Sequence, residues 1–265
     1  MKYKKPNFLI VGVQKAGTTY LCGRLAKHKE IFFSEPKELL FFQKGNITQE
    51  SYENYLRDYF SNVQNEKYIG EGSTIYLQWS NALENIQKYL DKNIKIIVCL
   101  RQPTDRALSF YLHNYKKGRF DGREDILSVG DDVRLSPVLS SMYADDIKRW
   151  IDVYGDNISF QLFDDLLTSP TQFVKDATDF LNLDPMENVS ESAVNKGFSL
   201  VWKDEVLTLN SKPKEGAVLP TFTMGQLEKL HALFLEDIEK TEKLIGRSLS
   251  HWKEMPEFTA KQKNW

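Results

Sequence analysis

The segment Gly12-Val13-Gln14-Lys15-Ala16-Gly17-Thr18-Thr19 constrains this chain more than any other. It follows a short continuous apolar run, Phe8 to Val11, and precedes a stretch from Thr18 to Lys29 that favours helix, with Leu21 and Leu25 spaced for one face. An apolar run of this length, closed by glycine, reads as a strand buried on both faces. The opening unit is therefore strand, glycine loop, helix. At such a junction free backbone N–H groups and the helix dipole favour an anion. Gly17 lets the main chain approach a phosphate closely, and Thr18 and Thr19 add hydroxyl donors at the first helical turn.

The same alternation continues along the chain. Ile94 to Leu100 predicts a second buried strand, followed by Pro103, which can open a helix at its first turn. Asp105 to Tyr115 reads as that helix. Tyr68 to Gly72 is a weaker strand and Ile158 to Phe163 a clear one. Tyr143, Ile147, Trp150, Ile151 and Tyr154 recur at helical spacing before it, and Phe173, Ala177, Phe180 and Leu181 after it. Leu227, Leu230, Phe234, Ile238 and Ile245 outline one longer helix near the end. Lys116 to Pro137 and Lys196 to Pro220 read as loops. Strands alternating with helices predict an α/β fold with a P-loop-like central parallel sheet flanked by helices on both faces. Nothing in the composition demands a boundary, so residues 1–265 are expected to form a single domain.

Composition narrows the partners. A formal net charge of −2 gives no long-range basic field for nucleic acid. The basic N-terminus is followed by an apolar run too short for a signal peptide, and nothing approaches the ~20 apolar residues of a membrane span. A soluble, cytoplasmic protein with no membrane partner is expected; its oligomeric state is left open. The two cysteines, Cys22 and Cys99, lack CxxC partners and read as reduced, buried thiols. The four histidines show no metal spacing, and no metal is expected.

In the nucleotide triphosphatase loop G-x-x-x-x-G-K-[ST], lysine follows the second glycine. Here Gly12 and Gly17 keep the glycine spacing, Thr18 stands in the lysine position, and Lys15 lies inside the loop. The segment from Phe8 to Leu21 resembles the 5′-phosphosulfate loop of sulfotransferases that use 3′-phosphoadenosine 5′-phosphosulfate (PAPS), in particular the heparan sulfate glucosaminyl 3-O- and N-sulfotransferases and their bacterial cousins. The resemblance implies that Lys15 meets the sulfate–phosphate junction, with Ala16, Gly17, Thr18 and Thr19 around the 5′-phosphate. It also implies PAPS as co-substrate and 3′-phosphoadenosine 5′-phosphate (PAP) as product; no carboxylate cluster is evident to hold a metal, and none is expected to be required.

A second signature of that family matches Ile96 to Ser109: strand, Arg-x-Pro, then Arg and Ser on a helix. Arg101 stands at the strand's carboxyl end, where open α/β sheets bind ligands, and arginine holds phosphate through paired N–H donors. By resemblance, Arg101 and Ser109 hold the 3′-phosphate; the alternative is that Arg101 caps the sheet through a carboxylate. Arg106 reads as a structural ion-pair partner or a further contact.

The third match is Ser34-Glu35-Pro36-Lys37-Glu38-Leu39-Leu40-Phe41-Phe42. Glu38 corresponds to the family's glutamate before a short apolar stretch, which implies a general base that takes the acceptor's proton. Its alternative is a solvated charge beside Lys37. Glu71 matches a family acid and is expected to line the acceptor site. Gly72 stands where 3-O-sulfotransferase relatives carry lysine, which puts heparan-type acceptor contacts in doubt. His113 is the histidine expected near the acceptor. Ser211, Lys212 and Lys214 are expected to close over the nucleotide, or to be solvated loop residues. Asn195-Lys196-Gly197-Phe198 also has a counterpart in the family. Tyr76, Trp79, Tyr111 and Tyr115 either stack on an acceptor or belong to the core.

The expected activity is therefore transfer of a sulfuryl group from PAPS to a hydroxyl or amine of a glycan or small-molecule acceptor. An ATP-dependent small-molecule kinase and a non-catalytic nucleotide-binding protein are the alternatives.

Overall fold

A computed structural model describes residues 3–186, 198–213 and 215–258. In chain order the elements are β1 (Phe8–Gly12), α1 (Thr18–Leu25), β2 (Ile31–Phe33), α2 (Gln49–Phe60), β3 (Tyr68–Gly72), α3 (Ser80–Tyr89), β4 (Lys95–Leu100) and α4 (Pro103–Lys116). There follow α5 (Ala144–Tyr154), β5 (Ile158–Leu162), α6 (Phe163–Thr168), α7 (Pro170–Phe180), β6 (Leu200–Lys203), β7 (Val206–Leu209), β8 (Thr221–Thr223), α8 (Met224–Ala232) and α9 (Leu235–Ile245). No helix among the described residues is long and apolar enough to cross a membrane.

The chain folds into two compact units, Met1–Leu100 with Asp146–Ser192, and Arg101–Asp145 with Ala193–Trp265. The first contains a five-stranded sheet in the order β2-β3-β1-β4-β5, flanked by helices. Every neighbouring pair in it is parallel. Phe8, Leu9, Ile10 and Val11 are completely buried, as are Ile96 to Leu100, which explains why both strands read as unbroken apolar runs. The chain leaves β1 toward β3 and β2 on one side and returns to β4 on the other. The carboxyl end of β1 is thus the point where strand order reverses, and such points are where open α/β sheets bind ligands.

The second unit differs from the sequence expectation in two places. Lys196 to Pro220 is not wholly loop: β6 and β7 pair antiparallel, and β8 adds to β7. The turn between β6 and β7 has both central residues, Asp204 and Glu205, at positive φ (46° and 65°), as a two-residue hairpin requires. Asp-Glu is a weak turn signal, which is why periodicity missed it. The long terminal helix is also broken, into α8 and α9. At Phe234 the ladder tightens, its amide donating to the His231 carbonyl at 3.0 Å, before Ile238 returns to Phe234 at 2.8 Å. No glycine or proline marks this break in the sequence.

In the first unit α2, α3, α6 and β2 were absent from the periodicity reading. α2 is amphipathic around Tyr52, Tyr55, Leu56 and Phe60, and Thr48 and Ser51 close its start as a capping box.

Candidate active site

The loop after β1 is built by its glycines and by what packs on it. Gly17 caps α1 in the left-handed region at φ 85°, and no side chain among the described residues caps that helix. A Cβ at Gly17 would come within 2.7 Å of Leu166 Cδ2 and 3.2 Å of Phe163 Cδ2, so α6 presses directly on the loop. Lys15 also has left-handed backbone, at φ 70°, and its side chain is half-exposed, as Ala16 and Thr18 are buried and Thr19 open. Val13 donates its amide to the Cys99 carbonyl at 2.7 Å. The start of the loop is therefore tied to the end of β4.

The turn after β2 carries Glu38. Its amide donates to the Gly72 carbonyl at the end of β3, at 2.9 Å. Thr74 supplies two donors to the carboxylate: its amide to Oε2 at 2.9 Å and its hydroxyl to Oε1 at 2.8 Å. Lys37 pairs with Oε1. The Glu38 side chain keeps 34% of its surface exposed, so it is anchored and open at once. Glu35, three residues earlier, is exposed and shares none of these partners among the described contacts.

Glu71 does not line an open acceptor surface, and that expectation is corrected. It has 0% exposure. Tyr55 donates to Oε2 at 2.6 Å, while Ser73 and Tyr76 donate to Oε1 at 2.7 Å each. Burial raises its pKa, opposed by those three hydroxyl bonds and reinforced by the charge of Glu38. Beside it, a Cβ on Gly72 would lie 2.8 Å from Cys22 Sγ and 3.3 Å from the Phe33 ring. The position therefore lacks not only the relatives' lysine but the room for one. Tyr76 and Tyr111 are core residues, each with no exposed surface, and Tyr115 is buried; Trp79 stays half-buried.

The second unit begins with Arg101, directly after Leu100 of β4. Gln102 caps α4, accepting from the Asp105 amide at 2.8 Å, with Pro103 in the first turn. From Pro103 to Tyr115, the open positions are Asp105, Ser109 and His113, the rest being buried. These fall at four-residue steps and so form one stripe along the helix. Arg101 pairs loosely with Asp105 at 3.8 Å. Arg106 instead turns inward: its guanidinium donates to Ser140 and Ser141 at 2.5 and 3.0 Å and lies over the Phe110 ring, and burial lowers its pKa to about 10.

Sequence reasoning missed the supports of this turn. The Arg101 carbonyl accepts from the Tyr143 hydroxyl at 3.0 Å, and the amides of Tyr143 and Ala144 donate to Asp237 at 2.8 and 3.0 Å. Burial raises the Asp237 pKa against those two bonds. His231 Nε2 donates to the Lys253 carbonyl at 2.9 Å, which leaves Nδ1 to accept from Thr104 at 3.0 Å. No local spacing signals these partners, because they lie 42 residues or more along the chain from Arg101. Ser211 and Lys212 are exposed. Lys214 and Asn195-Lys196-Gly197 lie outside the described residues.

Comparison with known proteins gives this arrangement its family. The chain is 36% identical over 107 residues to the membrane-associated sulfotransferase kil1 of Dictyostelium discoideum, covering 40% of this chain and 22% of that protein. It is 27% identical over 275 residues to the bifunctional heparan sulfate N-deacetylase/N-sulfotransferase 3 of Mus musculus, covering 93% of this chain and 31% of that one. This chain thus spans about a fifth to a third of the length of those two curated relatives. Among solved structures, a sulfotransferase from Alicyclobacillus acidocaldarius superposes with a TM-score of 0.71 at 25% identity, over 95% of this chain and 100% of that one. The model of the sulfotransferase domain matches residues 5–242, a span that takes in the β1 turn, Glu38, Arg101 and Ser109, and the chain belongs to that family.

Proposed function

We propose that this chain transfers a sulfuryl group from PAPS to a hydroxyl or amine of a glycan or small-molecule acceptor. The observation that carries the reading is the turn after β1: left-handed backbone at Lys15 and Gly17, the start of α1, and the carboxyl end of a central parallel strand, in a chain of the sulfotransferase family. Lys15, Ala16, Gly17, Thr18 and Thr19 take the 5′ end of the nucleotide. Arg101 and Ser109 take its 3′-phosphate, with Ser211, Lys212 and Lys214 as further nucleotide contacts and His113 as an acceptor contact. The two units act as one sulfotransferase domain, since the family match runs through both.

The chemistry is an in-line displacement at sulfur. Glu38 accepts the acceptor's proton as its oxygen or nitrogen bonds to sulfur, and the bond from sulfur to the 5′-phosphate oxygen breaks. Charge then grows on that phosphate oxygen, where the Lys15 ammonium and the first-turn amides of α1 stabilise it. The products are PAP, the sulfated acceptor and a proton on Glu38. The half-exposed, donor-anchored carboxylate of Glu38 supports this role, because a base must be both fixed and reachable.

The test has two arms. Calorimetry should show PAP binding far more tightly than ATP with Mg²⁺; the reverse order would favour a kinase. Labelled PAPS, offered with a panel of glycan, amine and alcohol acceptors, should yield sulfated product. Lys15→Ala should lower that rate by about 10²–10³-fold. Tight PAP binding without transfer to any acceptor would favour a non-catalytic nucleotide-binding protein.

A further inference from the structure

We infer that Glu71 is a positioning residue for Glu38, whose buried carboxylate terminates two hydroxyl relays that fix the backbone from residue 38 to residue 42. The inference rests on the reading of Glu38 as the general base.

The relays follow from hydrogen-bond polarity. The Leu40 amide donates to Ser73 Oγ at 3.0 Å, and the Phe42 amide donates to the Tyr76 hydroxyl at 3.1 Å. An N–H can only donate, so each hydroxyl accepts there and has one proton left to give. Both protons go to the same oxygen, Glu71 Oε1, at 2.7 Å. Oε1 therefore sets the orientation of two hydroxyls, and through them the place of two backbone amides. Tyr55 fixes the other oxygen at 2.6 Å and stacks on Phe41 with ring centres 4.2 Å apart. Phe41 and Phe42 are both buried, so the far end of the segment is clamped as well.

The segment needs such a clamp. Glu38 and Leu40, neither a glycine, both have left-handed backbone, at φ 67° and 54°. Non-glycine residues adopt that region at a cost and hold it only where surroundings over-determine it. With a Glu71 that offers no acceptor, the Ser73 and Tyr76 protons would be buried without partners, and the turn would lose its reason to stay left-handed. Glu38 would then keep its Thr74 donors only in a fraction of molecules.

Amide exchange on the full chain tests the relays without needing an acceptor. Glu71→Leu removes the oxygen, and the amides of Leu40 and Phe42 should exchange about ten-fold faster while Val98 in β4 is unchanged. Glu71→Gln keeps a carbonyl oxygen at the relay end and should stay within about three-fold of wild type. Unchanged exchange in Glu71→Leu overturns the inference, and so does equal loss in both variants. If Glu71→Leu fails to fold, Ser73→Ala should free the Leu40 amide alone and Tyr76→Phe the Phe42 amide alone; protection kept in both overturns it.

Turnover joins this to Glu38. For transfer from PAPS to p-nitrophenyl glucosaminide, Tyr76→Phe should lower kcat about ten-fold with KM for PAPS unchanged, and should add nothing on a Glu38→Gln background. Independent, additive losses overturn the positioning role. Wild-type kcat in Glu38→Gln overturns the base reading instead, and the exchange arm then judges the relays alone.

Discussion

The turn after β1 and the turn that carries Glu38 stand at carboxyl ends of parallel strands in the same unit, and both pass through left-handed backbone. They are held by different means. The first relies on a glycine at its tightest point, Gly17, where the side chains of Phe163 and Leu166 leave no room for a Cβ. The second places side-chain-bearing residues, Glu38 and Leu40, in the same unfavourable region and restrains them with partners 33 to 36 residues away, at Ser73 and Thr74. One turn has a glycine at its tightest point, packed under α6; the other has residues with side chains there, held by partners far along the chain. The difference suits the work proposed for each. A phosphate is gripped by backbone, which glycine exposes, whereas a base must present a side chain, which glycine lacks.

The strongest way to break the comparison is to remove the group that the second turn presents. Glu38→Gln should lower turnover by about 10²–10⁴-fold while PAP affinity and thermal stability stay near wild type, as read by steady-state kinetics, calorimetry and melting. A parallel fall in PAP affinity would mean that the two turns do not divide the labour.

Next in size is the first turn itself. Gly17→Ala combines a positive φ with a contact of 2.7 Å to Leu166, and should cost about 2 kcal/mol of stability, visible as a lower Tm. It should also weaken PAP binding, because the α1 amides move with the cap. Full stability in that variant would show that the loop is not held by α6.

A finer probe separates anchoring from presentation. Thr74→Val keeps the amide bond to Glu38 and removes the hydroxyl bond of 2.8 Å. The expected loss is about 1 kcal/mol in transition-state stabilisation, roughly a five-fold drop in kcat. An unchanged kcat would leave the Thr74 amide and Lys37 as sufficient restraints.

The smallest effect is an expected lack of reactivity. Cys22 lies on α1 and packs under Gly72 at the end of β3, so it touches the supports of both turns. Burial pushes its thiol up to about 12, and burial raises that of Cys99 as well. Thiolate is the reactive form, so a disulfide reagent at pH 8 should label neither cysteine in the folded protein and both after denaturation. Rapid labelling of Cys22 in the native state would mean that the two turns open together.

The legible parts of this molecule are those whose signal lies within a few residues. β1 and β4 read as buried parallel strands because Phe8 to Val11 and Ile96 to Leu100 are apolar and completely buried. The Gly12 to Thr19 loop and the Arg101–Pro103 turn read as strand-to-helix junctions because strand, turn chemistry and helix start are contiguous. The β6–β7 hairpin was missed because Asp204-Glu205 is poor hairpin chemistry. The break before α9 was missed because one tightened hydrogen bond replaces any helix-breaking residue.

The central strands β1 and β4, the glycine turn between β1 and α1, and the start of α4 at Pro103 were legible along the chain, since these depend on local sterics and on burial averaged over a few positions. It took the packing of distant segments to show that Glu38 is anchored yet open, that Glu71 is sealed in the core, and that Gly72 has no space for a side chain. Those three facts depend on distances between residues far apart in the chain, and no spacing along a sequence encodes which hydroxyl will face which carboxylate.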